Sequence, residues 1–342
     1  MKLRVPDYFD DFSCLAGACP HSCCMEWEVV LDEDTARRYR ALPGPLGERL
    51  RAAMQLDGED WCFPLRGGRC PFLNQENLCE VHLTLDEAAT SVTCREHPRF
   101  VEDYGTFREV TLSASCPEAN RLLLSSEAPL LFPERTDDTP AEAGDEWLTW
   151  LLPLRERMLA LLQNRTRPLN ARLRDILLLA QGVQERLDTE DEDALPELVE
   201  GPLPAHSAAP ETTGLFPYAL QFLETLEVLE PDWRDLLHQG EAAELSAKTG
   251  MGVEALLERI AAYFLFHYIL KAVNDGDVLG QTQLCIFAVL TIRRLAAVCG
   301  PAEALRRFSC EIEHDEENLS ALRDGFWVQE ELSPAHFYAE LG

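Results

Sequence analysis

The sequence has little positive charge. Lys and Arg contribute 30 residues against 60 Asp and Glu, which gives a formal net charge of −30 over 342 residues. A field of that sign repels phosphate backbones and anionic lipid surfaces. Nucleic acid is therefore a poor partner for this chain. The same field would attract a lysine-bearing protein segment, but acidic surfaces also maintain solubility, so charge alone identifies no substrate.

Long apolar runs are also missing. The N-terminal sequence MKLRVPDYFDDF contains no apolar stretch of about seven residues, as a secretory signal would. The longest apolar runs, Ile260–Leu270 and Leu284–Ile292, are shorter than the roughly 18 residues that span a membrane. These observations predict a cytoplasmic protein without a membrane segment. With 46% hydrophobic and 26% charged residues over this length, we expect a folded chain of two domains.

Several familiar catalytic motifs are absent. The sequence has no G-x-S-x-G, no Walker loop and no H-E-x-x-H, so hydrolases and nucleotide-driven motors lack a supporting motif. The C-x3-C-x2-C pattern of radical enzymes is missing too, because Cys19 and Cys23 are followed directly by Cys24. A zinc ribbon with two C-x2-C knuckles is likewise not present.

Cysteine, in contrast, is concentrated in the first third of the chain. Of 12 cysteines, only Cys285, Cys299 and Cys310 follow residue 116. Thiolates are the ligands of iron-sulfur clusters and structural zinc, and a chain inside the cell meets no oxidising environment that would pair them. The tight spacing in C14-x4-C19-x3-C23-C24 favours a metal site over packing. The predicted ligands are Cys14, Cys19, Cys23, Cys24, Cys70, Cys79, Cys94 and Cys116.

The cysteines have two other interpretations. A disulfide scaffold requires a secreted chain, which the N-terminus argues against. Plain buried thiols explain the three late cysteines, since Cys285 and Cys299 lie on the same face of one predicted helix as Ile292.

The residue pattern predicts a mostly helical α+β fold. Period-2 alternation over 25–32 and 110–114 indicates short strands, and the Thr84 to Glu87 capping box predicts a helix that ends near Cys94. From Asp145 onward the apolar period is helical. We expect a cysteine-rich metal-binding domain over 1–125, an all-α domain over 126–342, and a mobile acidic and Pro-rich loop over 188–214.

One predicted helix, around Ile260, is apolar on nearly every side, which is typical of a central helix. It carries Tyr263 and His267, with Lys271 close behind. His267 has two interpretations: a buried histidine satisfied by a neighbour, or a residue that binds substrate or cofactor.

Several motifs together resemble a known family. They are P-D-Y-F-x-x-F-x-C-x4-C-x3-C-C-x2-W (Pro6–Trp27), C-P-F-L (Cys70–Leu73) with Cys79, C-R-x-H-P-R (Cys94–Arg99), K-A-V-N-D-G-D (Lys271–Asp277) and E-I-E-H-D-E-E-N-L (Glu311–Leu319). The whole set resembles the bacterial flagellin lysine-N-methylase family. Its front half is also similar to zinc- or iron-chelating CxxCxxCC domains. Two departures, Met25-Glu26 before Trp27 and His97 before Pro98, remove no cysteine.

The resemblance implies methyl transfer from S-adenosylmethionine to lysine ε-amines of flagellin, with a [4Fe-4S] cluster, or zinc as the alternative, in the front domain. Such a reaction needs a deprotonated lysine and groups that attract cations. We expect the blocks Tyr263–Asp277 and Glu311–Glu317 to form an acidic aromatic acceptor groove between the two halves. The chemically suited residues are Tyr263, His267, Tyr268, Asp275, Asp277, Glu311 and Glu313, each of which could also be an ordinary packing or surface residue.

A second function stays open. The chain could be a non-catalytic zinc- or iron-chelating module with a helical partner-binding domain. The long helical half favours the enzyme, because a chelator alone would not require it.

Overall fold

A computed structural model describes residues 1–204, 214–243 and 251–342. Its strands are short. They are β1 (Lys2–Arg4), β2 (Val29–Leu31), β3 (Gln55–Asp57), β4 (Asp60–Phe63), β5 (Arg99–Asp103), β6 (Phe107–Leu112) and β7 (Glu134–Thr136).

Helices predominate, which confirms the predicted α+β, mostly α class. They are α1 (Cys23–Glu26), α2 (Glu33–Ala41), α3 (Gly44–Ala53), α4 (Glu80–Thr84), α5 (Val92–Glu96), α6 (Pro117–Leu123), α7 (Leu148–Leu162), α8 (Leu169–Asp188), α9 (Leu195–Glu200), α10 (Tyr218–Glu224), α11 (Trp233–Ala242), α12 (Met251–Tyr268), α13 (Val278–Cys299), α14 (Pro301–Phe308), α15 (Glu316–Val328) and α16 (Pro334–Leu341).

The chain forms two compact units. The larger comprises Met1–Phe9, Val101–Thr111 and Arg121–Gly342, and the smaller comprises Asp10–Phe100 and Leu112–Asn120. The division into two domains over 1–125 and 126–342 stays a prediction.

The smaller unit is built on an antiparallel sheet of order β2-β4-β3. Its apolar core includes Tyr39, Leu50, Phe63 and Phe72. The Tyr39 hydroxyl donates to the Ala89 carbonyl at 2.8 Å, so the loop before α5 is fixed against α2.

The larger unit contains a sheet of order β5-β6-β1-β7, in which β1 runs parallel to β6 and antiparallel to β7. A buried ion pair fastens this sheet to the helices. Both terminal nitrogens of Arg155 on α7 donate to the Glu109 carboxylate on β6 at 2.6 Å. Arg155 also donates to the Phe266 carbonyl on α12 at 3.0 Å. One side chain thus joins three elements.

Helix α12 is the centre of the larger unit, as the sequence predicts. Every residue from Ile260 to Phe266 is buried. Helix α13 packs beside it and is long and apolar enough to cross a membrane by length and composition, but 67% of its most apolar window is buried inside the protein. The interior helices of globular proteins share this property.

Two local predictions are wrong. The Thr84 to Glu87 capping box does not open the helix that carries Cys94; Thr84 ends α4, and Ser91 caps α5 by accepting from the Cys94 N–H. The predicted mobile loop over 188–214 contains α9, because Leu195 and Val199 bury their side chains completely or nearly so. The part of that loop at 205–213 lies outside the described residues.

Candidate functional site

All eight predicted metal ligands belong to the smaller unit. Three of them meet at its apolar core, where Cys70 is buried and Cys24 and Cys79 pack against the same cluster. The Cys70 N–H donates to the Cys24 carbonyl at 2.8 Å, which ties the two backbones together. A β-bridge pairs Leu73 with Cys79 and closes the loop between the second and third of these thiols.

Electrostatic coupling adds Cys94 to this group. Burial, together with thiolate charges at Cys24, Cys94 and Cys79, raises the pKa of Cys70 to about 12. Burial likewise raises the pKa of Cys94 to about 11, with added effects from Cys24 and Cys79. A charge on Cys24 therefore disfavours charge on Cys70, Cys79 and Cys94, and a bound cation would reverse that effect.

The other predicted ligands lie beside this group. A hydrogen bond with Cys23 lowers the pKa of Cys24 to about 7. The same hydrogen bond and burial raise the pKa of Cys23, and the charge of Cys14 adds to that shift. Burial raises the pKa of Cys116, and the charges of Cys19 and Cys14 add to that shift. The eight thiols thus form one connected neighbourhood.

The donor chemistry of this neighbourhood fits a metal centre, because all eight side chains are those of cysteine, whose thiolates bind iron and zinc. Within the described part of the chain, no three His, Cys, Asp or Glu side chains are placed so as to hold a metal ion. The ligand set therefore stays a prediction. Cys62, which is not among the predicted ligands, faces Glu28, and its Sγ lies 3.6 Å from the Glu28 carboxylate.

The larger unit holds a buried carboxylate, Glu313. It ends a π-helical turn at Ser309–Glu313, a rare geometry that is frequent at functional sites. The hydroxyls of Tyr263 and Tyr268 each donate to its carboxylate at 3.1 Å. Burial raises the pKa of Glu313 to about 7, although these hydrogen bonds oppose the shift. The structure thus joins the two sequence blocks at a group that titrates near neutral pH.

His267 is explained by packing. Its Nδ1 lies 3.1 Å from the Thr111 hydroxyl, and the side chain is buried. Burial lowers the pKa of His267 well below the usual value, and the charges of Lys271 and His314 lower it as well. A neutral imidazole with a hydrogen-bond partner matches the first of its two interpretations.

Lys271 provides a cation close to the tyrosines. Its Nζ lies 2.7 Å from the Glu102 carboxylate and 5.4 Å from the centre of the Tyr268 ring. Its charge also lowers the pKa of Glu313. The sequence indicates only that Lys271 lies near Tyr263 and His267 along the chain. Its ion pair with Glu102 depends on contacts between distant residues that only the fold shows.

Glu311 has a different role from Glu313. Its carboxylate accepts the backbone N–H groups of Leu229 at 2.9 Å and Glu230 at 2.8 Å. Burial raises its pKa to about 7, and these backbone hydrogen bonds oppose the shift. Glu311 therefore fixes the segment before α11.

Asp275 and Asp277 form a third group, at the surface. Arg323 pairs with Asp275 at 2.6 Å and Asp277 at 3.1 Å, and the Trp327 indole N–H donates to Asp277 at 3.3 Å. They line a groove of about 380 Å³ with Asp188 and Asp324. The predicted acidic aromatic wall is therefore not one surface. Tyr263, Tyr268 and Glu313 meet in the interior. Asp275 and Asp277 line the surface groove, and Glu311 accepts backbone N–H groups before α11.

Asp277→Ala is expected to lower the free energy of unfolding by about 1 kcal/mol, because Asp277 caps α13 by accepting from the Gly280 N–H at 2.8 Å. Urea unfolding followed by tryptophan fluorescence measures this. Asp324→Ala is the matched control, since it removes an exposed carboxylate from the same groove without removing a cap. Equal losses from the two variants would contradict a capping role.

Comparison with characterised proteins supports the resemblance given by the motifs. The chain is 29% identical over 143 residues to the lysine-N-methylases of Salmonella choleraesuis and Salmonella typhimurium. That stretch is 40% of this chain and 36% of each relative, so the chain spans little more than a third of their length.

A third relative, the flagellar biosynthetic protein FliU of Salmonella muenchen, is 28% identical over 142 residues, which cover 40% of this chain and 84% of that protein. No protein-family model and no solved structure matches the chain. The comparisons thus confirm the resemblance to the flagellin lysine-N-methylase family at low identity.

Proposed function

We propose that the protein is an S-adenosylmethionine-dependent lysine N-methyltransferase that acts on flagellin and holds a metal centre in its smaller unit. The observation that carries this proposal is the similarity to two proteins named lysine-N-methylase. The motif blocks at 271–277 and 311–319 agree with it. Tyr263 and Tyr268, which lie on α12 just before the first block, donate hydrogen bonds to Glu313 in the second block.

In the proposed reaction, the lysine nitrogen attacks the methyl carbon, a C–N bond forms, and the C–S bond breaks with its electron pair left on sulfur. S-adenosylhomocysteine leaves, and one proton must leave the amine. Lysine has a pKa of about 10.4 in water, so the site has to favour the neutral amine.

Glu313 is the residue best suited to receive that proton. A base is most effective when its pKa lies near the working pH, and burial raises the pKa of Glu313 to about 7. The tyrosine hydroxyls that donate to its carboxylate hold it in one orientation. We assign Tyr263 and Tyr268 as positioning residues in this proposal.

For the metal centre, the proposed ligands are Cys24, Cys70 and Cys79, which meet at the apolar core of the smaller unit, together with Cys94, whose pKa the charges of Cys24 and Cys79 help to raise. Four thiolates suit a [4Fe-4S] cluster, and zinc is the alternative. When bound, such a group would brace loops and short helices that bury little apolar surface of their own. Cys14, Cys19, Cys23 and Cys116 are the remaining candidates.

A cytoplasmic location and a flagellin partner complete the proposal. A cysteine-rich segment that binds metal needs its thiols reduced, which a reducing compartment provides. The net charge of −30 would speed encounters with a lysine-bearing segment, and the effect would weaken as salt rises.

The test is methyl transfer in vitro. Protein purified without oxygen is incubated with S-adenosylmethionine labelled in the methyl group and with flagellin. We expect label on flagellin lysines and none on flagellin whose lysines have been acetylated. A protein that retains its metal yet transfers no methyl group would instead support the chelating module, the second function that the sequence left open.

A further inference from the structure

The π-helical turn Ser309–Glu313 carries two buried carboxylates that make contacts in different directions. Glu313 accepts from two tyrosine hydroxyls of α12, whereas Glu311 accepts two backbone N–H groups of the segment 227–230. Residues two apart on a helical turn do not face each other, so one turn can make both sets of contacts. The same short stretch of backbone therefore sets the directions of Glu311 and Glu313.

A backbone hydrogen bond of the π type closes this turn. The His314 N–H donates to the Ser309 carbonyl, five residues back, at 3.2 Å. An α-helix would instead pair each N–H with the carbonyl four residues back. A change from the π to the α pattern would alter the direction of Glu313, so its contacts with the tyrosines depend on what holds the turn.

Asn318 on α15 joins the turn to the segment 227–230. Its buried side chain accepts the Glu227 N–H at 2.9 Å and donates to the carbonyls of Glu227 at 2.9 Å and Glu311 at 2.8 Å. Carbonyls in the last turn of a helix lack partners within that helix, and Asn318 supplies one for Glu311. The Asn318 amide thus ties the backbone of the turn to a segment far away in the chain.

The segment 227–230 is itself anchored to α14, the helix that leads directly into the turn. Both terminal nitrogens of Arg306 donate to the Glu230 carboxylate, at 2.8 and 3.2 Å, and Arg307 pairs with the same carboxylate. We call Glu311, Asn318 and the segment 227–230 the Glu311 clamp. Its contacts connect α14, the π-helical turn and α15.

We propose that Glu311 and Asn318 are positioning residues for methyl transfer, because they hold the π-helical turn in the geometry that places Glu313 against the two tyrosines. This rests on the proposed function, in which Glu313 receives the proton of the substrate amine. A base must lie within hydrogen-bond reach of the proton it takes, and a displacement of about 1 Å can cost about 10²-fold in rate. The clamp acts on the reaction through Glu313.

The groups that act electrostatically on Glu313 determine what a pH profile reports. They are Tyr8, Tyr263, Tyr268, Lys271 and Cys285. Burial raises the pKa of Tyr8, Tyr268 and Cys285, so these three stay neutral near pH 7. Glu311 also titrates near 7, so the step that belongs to Glu313 is identified as the one that Glu313→Gln removes.

The test compares two variants of the full chain, Asn318→Ala and Gln283→Ala. Asn318→Ala removes three hydrogen bonds of the clamp, and we expect kcat to fall about tenfold while KM for S-adenosylmethionine stays within about twofold. A loosened turn admits water to Glu313 and relieves the burial that raises its pKa, so its step in the pH–rate profile should move to lower pH. Gln283 is the matched control, because it is equally buried and donates to the Leu332 carbonyl at 3.0 Å. We expect its replacement to leave kcat and the step as in the parent.

Glu311→Gln is the second variant, and it decides the outcome if circular dichroism shows that Asn318→Ala does not fold. The amide keeps one acceptor oxygen, so one of the two backbone N–H groups loses its partner. We expect a smaller fall in kcat with the same direction of pH shift.

Tyrosine absorbance gives a readout that does not depend on activity. Ionisation of Glu313 beside the hydroxyls of Tyr263 and Tyr268 should shift their ultraviolet absorbance with pH, and Glu313→Gln should lack that change. We expect the midpoint to move to lower pH in Asn318→Ala and to stay in place in Gln283→Ala. Unchanged kcat and midpoint in Asn318→Ala, or equal changes in Gln283→Ala, would overturn the positioning role. A parent that transfers no methyl group would overturn the proposed function, and the midpoint would then still decide whether the clamp holds Glu313.

Discussion

Cys24→Ser should remove most of the bound metal and unfold the smaller unit, whereas Cys62→Ser should retain the metal. Cys24 packs on the same apolar cluster as Cys70 and Cys79, so its loss breaks the centre of the proposed ligand set. Metal binding and folding are coupled in small domains of this kind. Iron, zinc and acid-labile sulfide in protein prepared without oxygen measure the first effect, and limited proteolysis measures the second.

Cys62 is the appropriate control because it is equally a cysteine of the smaller unit but faces Glu28. Its replacement leaves a buried hydroxyl and costs about 1 to 3 kcal/mol. Equal metal loss from Cys24→Ser and Cys62→Ser would contradict the proposed ligand set. If the parent protein contains zinc but no iron or acid-labile sulfide, the iron-sulfur cluster is excluded and the zinc alternative is supported.

Glu313→Gln is expected to lower the rate of methyl transfer by roughly 10²- to 10⁴-fold, the usual contribution of a general base. The amide keeps the shape and can still accept from Tyr263 and Tyr268, but it takes up no proton. In the parent, the rate should rise with pH through about 7, where Glu313 loses its proton, and the variant should lose that step.

Stability offers a second readout for the same variant. The folded-state pKa of Glu313 is raised from 4.5 to about 7, so its contribution to stability is complete below 4.5 and is lost as pH rises through 7. Glu313→Gln should flatten that part of the stability profile. Asp275→Asn, at the surface pair with Arg323, is the activity control. Full activity of Glu313→Gln at every pH would exclude Glu313 as the base.

The sequence predicts the periodic parts of this fold well. The apolar run around Ile260 indicates a central helix, and α12 is buried there. The density of Cys19, Cys23 and Cys24 likewise places the thiols in one unit. Local pattern suffices in both cases, because helix burial and the close spacing of cysteines are properties of neighbouring residues.

The remaining assignments depend on contacts that no local pattern contains. Glu311 and Glu313 are two residues apart and chemically alike, yet one accepts backbone N–H groups near α11 and the other meets two tyrosines of α12 and its end. The π-helical turn sets these directions. Asp277 caps α13 because that helix begins directly after it. Tyr104 lines a cavity together with residues far along the chain.

The central position of β1 has a consequence for synthesis on the ribosome. Lys2–Arg4 leaves the ribosome before its pairing partners in β6 and β7. Its backbone must stay unpaired while the whole stretch 10–100 of the smaller unit, with seven of the eight candidate thiols, leaves the ribosome. Cys116 follows immediately after β6. We therefore expect that the proposed metal centre can form before the first sheet of the larger unit is complete.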